Sequence, residues 1–363
     1  MAYVFMLVSF IPVVFISVCI PYVTRRTESF GVSIPEEVYH SIELKKMRKR
    51  YSWQTALFGA AVMILWWAAT TMFFSVESPV FLIALFVFMI GSFMIYLVYH
   101  GRMKSMKEKE KWHEAVSEVV AVDTGFRNRK ITISLGWYAV PLGVALATLI
   151  FTMIFYDRMP GRIPMQYDFD GNVTRWVNKS YRTVLSFPIL QLFIVALFLF
   201  VHSIIAKSKQ QIDPANPEQS ARQNQTFRQR WSVFNFISGT AVVLMFSFTQ
   251  LSFFISIPAN VQMVVSLVVV GCIIVGVIVL SFTTGQGGSR VRTGQGKRGE
   301  VINRDDDRYW KLGQFYFNPN DPAIWVEKRF GIGWTVNFAH PAGWGSLAAI
   351  ILIAILLPIL TSS

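Results

Sequence analysis

YDRMPGRIPMQYDFDGNVTRWVNKSYRT, residues 156–183, is a charged, aromatic and turn-rich segment set between two long apolar runs, 135–156 and 184–206. That contrast decides the fold class. An apolar run of roughly 17 to 25 residues is long enough to cross a hydrocarbon core as a helix, whose backbone hydrogen bonds are all satisfied internally. Working outward from the quoted segment, eight such runs are found, at 3–23, 53–74, 80–99, 135–156, 184–206, 233–254, 261–282 and 344–360. With these limits all 34 Lys and Arg residues and all 21 Asp and Glu residues fall in the loops.

Composition points the same way. The 363 residues are 53% hydrophobic and 15% charged, where soluble domains carry about 25% charge. The expected fold class is therefore an all-α membrane protein of about eight transmembrane helices, with a small cytoplasmic β-rich element. The first run lacks a basic stretch before it and a small-residue cleavage site after it, so it is expected to be a retained span. Cys19 and Cys272 both lie in apolar runs and read as packing residues.

The net charge of +13 would suggest nucleic acid in a soluble chain, but here its distribution matters more, and no direct nucleic-acid binding is expected. Loops after the first, third, fifth and seventh spans hold 7, 8, 5 and 9 Lys plus Arg, against 0, 5 and 0 for the others. By the positive-inside rule the odd-numbered loops are cytoplasmic and both termini extracytoplasmic. Segment 157–183 is then the sizeable outer loop of a multi-pass protein of the cell membrane. The two halves of the chain share a layout, and Gly136-Trp137 with Pro141 parallels Gly333-Trp334 with Pro341, which raises a parallel four-plus-four repeat as an expectation.

Five segments follow: 1–134, three spans with basic cytoplasmic loops; 135–206, two spans carrying the outer loop; 207–282, a linker and a helical hairpin; 283–343, a basic tether and a small β-rich domain; and 344–363, the last helix and C-terminus. Ser33 and Glu36 fit a capping box for a short helix that ends in the basic residues 45–50. Lys104 and Glu108 at (i, i+4) predict that the third helix continues past the apolar run. Ile131 and Ile133 alternate as in a short strand, residues 207–231 read as a solvated linker, and 314–318, 323–328 and 334–339 read as three strands.

Several chemical motifs fail on spacing. His113-Glu114 lacks its second histidine, because position 117 is Ser117. Gly294, Gly296 and Gly299 have dinucleotide-loop spacing but sit in a basic tether without the required strand and helix. Asp168, Asp170 and Gly171 resemble part of a calcium loop whose twelfth position is Val177 instead of glutamate. Asp305, Asp306 and Asp307 resemble a magnesium cluster without its second acidic motif. The spans offer only neutral polar residues such as Gln191, His202, Asn235, Gln250 and Gln262, with His202 expected to snorkel at the inner end of its span. No catalytic residue, metal site or cofactor is expected, and the chain is not expected to be an enzyme.

The outer loop itself reads as a hairpin, with Asp170-Gly171 suited to a two-residue type I′ turn. Its candidate ligand-binding residues are Arg162, Gln166, Tyr167, Asp168, Asp170, Arg175, Trp176 and Lys179. IPMQYDFDGNVTRWVNK, residues 163–179, resembles the extracytoplasmic motif of a bacterial membrane family that includes the SdpI-like immunity proteins, P-x-H-[FY]-[ND] followed by Gly, Trp and a base. Pro164, Tyr167, Asp168, Gly171, Trp176 and Lys179 match, while Gln166 stands where the family commonly has His. Residues 309–341 are similar to a second domain of unknown function found in some relatives. The resemblance implies protection from a secreted peptide and, in part of the family, a relay to a cytoplasmic regulatory protein. The expected partners are membrane lipids, an external peptide and such a regulator.

Overall fold

The computed structural model describes residues 2–73, 79–112, 130–167, 172–212, 216–255, 257–291 and 306–361. They are mostly helical: α1 (Ala2–Val23), α2 (Ile42–Met72), α3 (Val80–Lys109), α4 (Ala139–Ile154), the short α5 (Tyr181–Val184), α6 (Ser186–Lys207), α7 (Pro217–Leu251), α8 (Ala259–Thr284) and α9 (Pro341–Thr361). Antiparallel two-stranded pairs are formed by β1 (Glu28–Ser29) with β2 (Val32–Ser33), β3 (Arg162–Tyr167) with β4 (Val173–Asn178), β5 (Trp310–Lys311) with β6 (Phe315–Tyr316), and β7 (Trp325–Glu327) with β8 (Trp334–Val336). Among the described residues six helical stretches are long and apolar enough to cross a membrane: Ile42–Met72, Val80–Lys109, Leu135–Ile154, Tyr181–Lys207, Pro217–Leu251 and Ala259–Gly288. The apolar stretches Leu7–Val23 of α1 and Pro341–Leu352 of α9 fall short of that length. Six spans are therefore shown among the described residues, and the further two of the expected eight are not.

The chain gathers into two compact units, each built from separated segments. The first comprises Met1–Arg129, Ser208–Phe227 and Leu280–His340; the second comprises Lys130–Lys207, Arg228–Val279 and Pro341–Ser363.

In the first unit α1, α2 and α3 pack together, and the chain between α1 and α2 turns through Phe30 and Gly31, both with positive φ. Phe30 is buried among Tyr51, Tyr99 and Phe330, its ring centroid 5.4, 5.3 and 5.7 Å from theirs. A Cβ on Gly31 would stand 2.5 Å from both the Gly313 carbonyl oxygen and the Tyr96 hydroxyl, so only glycine permits this approach. Tyr96 donates to the Leu312 carbonyl at 2.9 Å, holding the β5–β6 turn against α3.

Several local expectations change here. Ser33 caps no helix: its hydroxyl accepts from Lys107 Nζ at 2.9 Å and lies 3.1 Å from Asp307 Oδ1. The N-cap of α2 is Ser41, which accepts from the Leu44 N–H at 3.3 Å. The basic residues 45–50 consequently occupy the first turns of α2 instead of ending a separate helix. The third helix does extend to Lys109, as its charge spacing predicts. Each of the three strands expected over 314–339 is present in shorter form, as β6, β7 and β8, and β5 adds a fourth that pairs with β6 across a turn containing Gln314. The supposed linker is helical from Pro217 onward, with the Ser220 N–H donating to the Asn216 carbonyl at the helix start. Proline suits a first helical turn, which has no need of its N–H. Ala221, Asn224 and Phe227 form the inward face of that segment, and a mixed polar and apolar stripe of this kind is invisible to hydropathy.

In the second unit α4, α6 and α7 pack through Ala145, Ile194, Val195 and Val243. Residues 130–134 form no strand, and Ile133 spends its N–H on the Ser232 hydroxyl at 3.1 Å. The paired Gly-Trp motifs adopt different conformations. Gly136-Trp137 lies in a 3-10 turn, whereas Gly333, at φ 111, leads Trp334 into β8.

Candidate functional site

The segment 157–183 is built on the end of α4. After Ile154 a 3-10 turn over Tyr156–Arg158 leads into β3, β4 follows, and Ser180 caps α5 by accepting from the Thr183 N–H at 3.2 Å. Alternation along β3 divides the hairpin into two faces. Ile163 is fully buried with Met159, Val184 and Phe253, and Met165, Phe187 and Phe254 pack around them. Arg162, Gln166, Tyr167, Arg175 and Trp176 are exposed, Trp176 at 54% of its surface. The pairing runs Arg162 with Asn178, Ile163 with Val177 and Pro164 with Trp176, then shifts around Gln166. This irregularity leaves both Gln166 and Tyr167 exposed, where strict alternation would turn one inward.

Lys179 has a different setting from the other candidates. Its N–H donates to the Gly161 carbonyl at 2.9 Å, its ammonium donates to the Met159 carbonyl at 3.1 Å, and it lies 4.9 Å from the Tyr156 ring centroid. Tyr156 in turn stacks on Tyr181 at 4.2 Å with an interplanar angle of 9°. Lys179 thus ties the two ends of the hairpin together, and the exposed cations and aromatics are carried on a braced base. Tyr167 pairs with Val173, not with Thr174 as a two-residue turn at 170–171 requires. Asp168, Asp170 and the turn itself lie outside the described residues, as do the glycines at 294, 296 and 299.

Beneath the hairpin a series of neutral polar side chains is buried between α4, α6 and α7. Gln250 Nε2 donates to Thr152 Oγ1 and to the Val184 carbonyl, each at 3.1 Å. Gln191 Nε2 donates to the Val243 carbonyl at 2.9 Å and to Ser247 Oγ at 2.8 Å, and Ser247 lies 2.9 Å from Thr148 Oγ1. Farther along α7, Asn235 Nδ2 donates to the Tyr138 hydroxyl at 2.6 Å and to the Phe198 carbonyl at 2.9 Å. His202 is 2% exposed, with its ring edge-on to Tyr138 at 5.3 Å. It does not snorkel, because its position on α6 faces the other helices.

The first unit holds a charged cluster that the sequence did not disclose. Arg329, 1% exposed, pairs with Asp306 and Asp307, and Lys107 reaches Asp307 at 2.7 Å. Arg25 pairs with the fully buried Glu327, whose other oxygen accepts from Asn224 at 2.6 Å. Asp306 and Asp307 are therefore engaged by cations of the chain itself. Nearby, Asp321 is buried, which by itself raises a carboxyl pKa. Hydrogen bonds from Lys209 at 2.6 Å, the Ala323 N–H and the Tyr316 hydroxyl outweigh that effect and hold it below the usual range. The only sequence signal for this cluster was an excess of acidic residues beside aromatic strands, because Lys107 and Arg25 lie 200 and 302 positions from their carboxylate partners.

Residues 143–192 match a domain of unknown function, DUF1648, and residues 319–344 match a family of unknown function, DUF5808. No curated protein and no solved structure matches. The first match spans most of α4, the hairpin and the start of α6. The second covers β7, β8 and the start of α9. The likeness of 163–179 to the SdpI-like motif accordingly narrows to a domain with no assigned activity, carried by a membrane protein.

Proposed function

We propose that the chain is a receptor or immunity-type protein of the cell membrane that meets an extracytoplasmic peptide through the β3–β4 hairpin and passes the encounter to a cytoplasmic partner. An eight-span arrangement with both termini outside, set by the 29 to 5 division of Lys and Arg, belongs to the same proposal. The observation that carries the reading is the division of labour in the hairpin. One side is fastened by Ile163 and the Lys179 contacts, while Arg162, Gln166, Tyr167, Arg175 and Trp176 are exposed. Rigid aromatics flanked by cations give contact area at little entropic cost, which suits a peptide surface.

The test compares a deletion strain with strains expressing the wild type or the Arg162→Ala/Tyr167→Ala/Trp176→Ala variant during challenge with peptides secreted by the same organism. The expected result is sensitivity on deletion, rescue by the wild type and no rescue by the variant at equal membrane abundance. Unchanged tolerance on deletion removes the immunity reading. A facilitator for a neutral or lipidic solute is the second reading, favoured by the buried neutral polar residues of α4, α6 and α7. Solute flux in proteoliposomes separates the two.

A further inference from the structure

We propose that the polar seam between α4, α6 and α7 binds a file of internal water molecules. The argument starts from the amides. Gln191 and Gln250 are 0% and 1% exposed, and each directs its NH2 at a backbone carbonyl, Val243 or Val184. A carbonyl can only accept, so neither amide can be turned over without setting oxygen against oxygen. Their orientation is fixed, and it leaves each Oε1 as a buried acceptor that no protein donor reaches among the described residues. His202 Nδ1 and Ser238 Oγ, on side chains 2% and 4% exposed, are also buried without a partner among the described residues, and each of these groups can donate or accept.

Four such atoms in one three-helix bundle are more than helix–helix adhesion needs. Adhesion pairs polar groups with each other, as Thr148 and Ser247 do here. Unpaired acceptors in a hydrocarbon surrounding are costly, and a small molecule with two donor hydrogens relieves that cost. Gln250, Ser247, Ser238 and Asn235 succeed one another along α7, so the seam covers about 22 Å at about 1.5 Å per residue. Water is the ligand class that fits. The groups are neutral, so no ion is favoured, and the acceptors are distributed along the helices instead of converging on one larger solute. The first unit supplies a contrast within the same chain. Phe10 and Phe88 pack with Val62, Trp66 and Ala84 in a cluster whose side chains carry a single polar atom, the Trp66 Nε1 donor, and no acceptor.

The experiment is millisecond X-ray radiolysis of the full chain in lipid nanodiscs in 18O-labelled water, read by mass spectrometry. Bound water beside a side chain generates hydroxyl radical in place. The expected result is that Tyr138 takes up label at least about ten-fold faster than the equally buried Phe10 and Phe88. Gln191→Leu with Gln250→Leu slows labelling of Tyr138 while exposed Trp176 is labelled as before. Labelling of Tyr138 as slow as that of Phe10 and Phe88 in the wild type overturns the proposal, and that reading requires no variant to fold.

Discussion

Replacing Ile163 with alanine tests whether the hairpin is seated as described. Ile163 has no exposed surface and fills the space between Met159, Val184 and Phe253. The substitution removes three carbons, which at about 0.8 kcal/mol per buried methylene corresponds to about 2.4 kcal/mol before any cavity term. Because the seat holds a local element, the loss should fall on local opening of the hairpin more than on the whole fold. A change of about 2 to 3 kcal/mol multiplies the open population by roughly thirty to a hundred and fifty, at about 1.4 kcal/mol per ten-fold. Hydrogen–deuterium exchange of the 162–178 amides in nanodiscs reads this directly, with α2 and α3 as internal reference. Trp176→Ala, on the exposed face, should leave exchange of the same amides within about two-fold. Equal protection in Ile163→Ala and wild type would refute the assignment of Ile163 as the anchor, and a large effect of Trp176→Ala would refute the division into two faces.

In the first unit, Arg329→Met strips Asp306 and Asp307 of their shared cation and should destabilise the protein by about 3 to 5 kcal/mol. Adding Asp306→Asn should recover part of the lost thermal stability, since Asp307 keeps Lys107 as its partner, and failure of the double variant to do so would contradict the pairing. Asp321 sets a pH dependence. Its folded pKa lies below the unfolded value, so its stabilisation is fully present above the ordinary carboxylate range and is lost as pH falls through the folded pKa. Asp321→Asn should therefore flatten the acid limb of a thermal-stability profile and leave the slope near neutral pH unchanged.

The membrane helices were legible because their signal is a simple sum: α3, α6 and α8 each coincide with an apolar run. That residues 162–178 form a hairpin was legible from Asp170-Gly171, since turn chemistry is local, but the two-residue turn expected there does not fit the pairing of Tyr167 with Val173. The sequence could not disclose helical continuations through polar residues. Asn224 and Arg228 look solvated by composition but are buried, because Glu327 and the Ile205 carbonyl receive them. Gln191 and Gln250 stood out as polar residues in spans, but their orientation became evident only once Val243 and Val184 were placed opposite them. Lys179 illustrates the converse. Charge beside an aromatic loop suggests ligand contact, whereas its ammonium is occupied by the Tyr156 and Met159 carbonyls of the turn that follows α4.

The brace formed by Lys179, Tyr156 and Tyr181 has a consequence for how this chain can diversify. The Ile163 and Lys179 contacts lie at the root of the hairpin or on its inward side, so the exposed side chains at 162, 166 and 176 can change without disturbing them. Substitutions at those positions can accumulate one at a time, each passing through a folded intermediate.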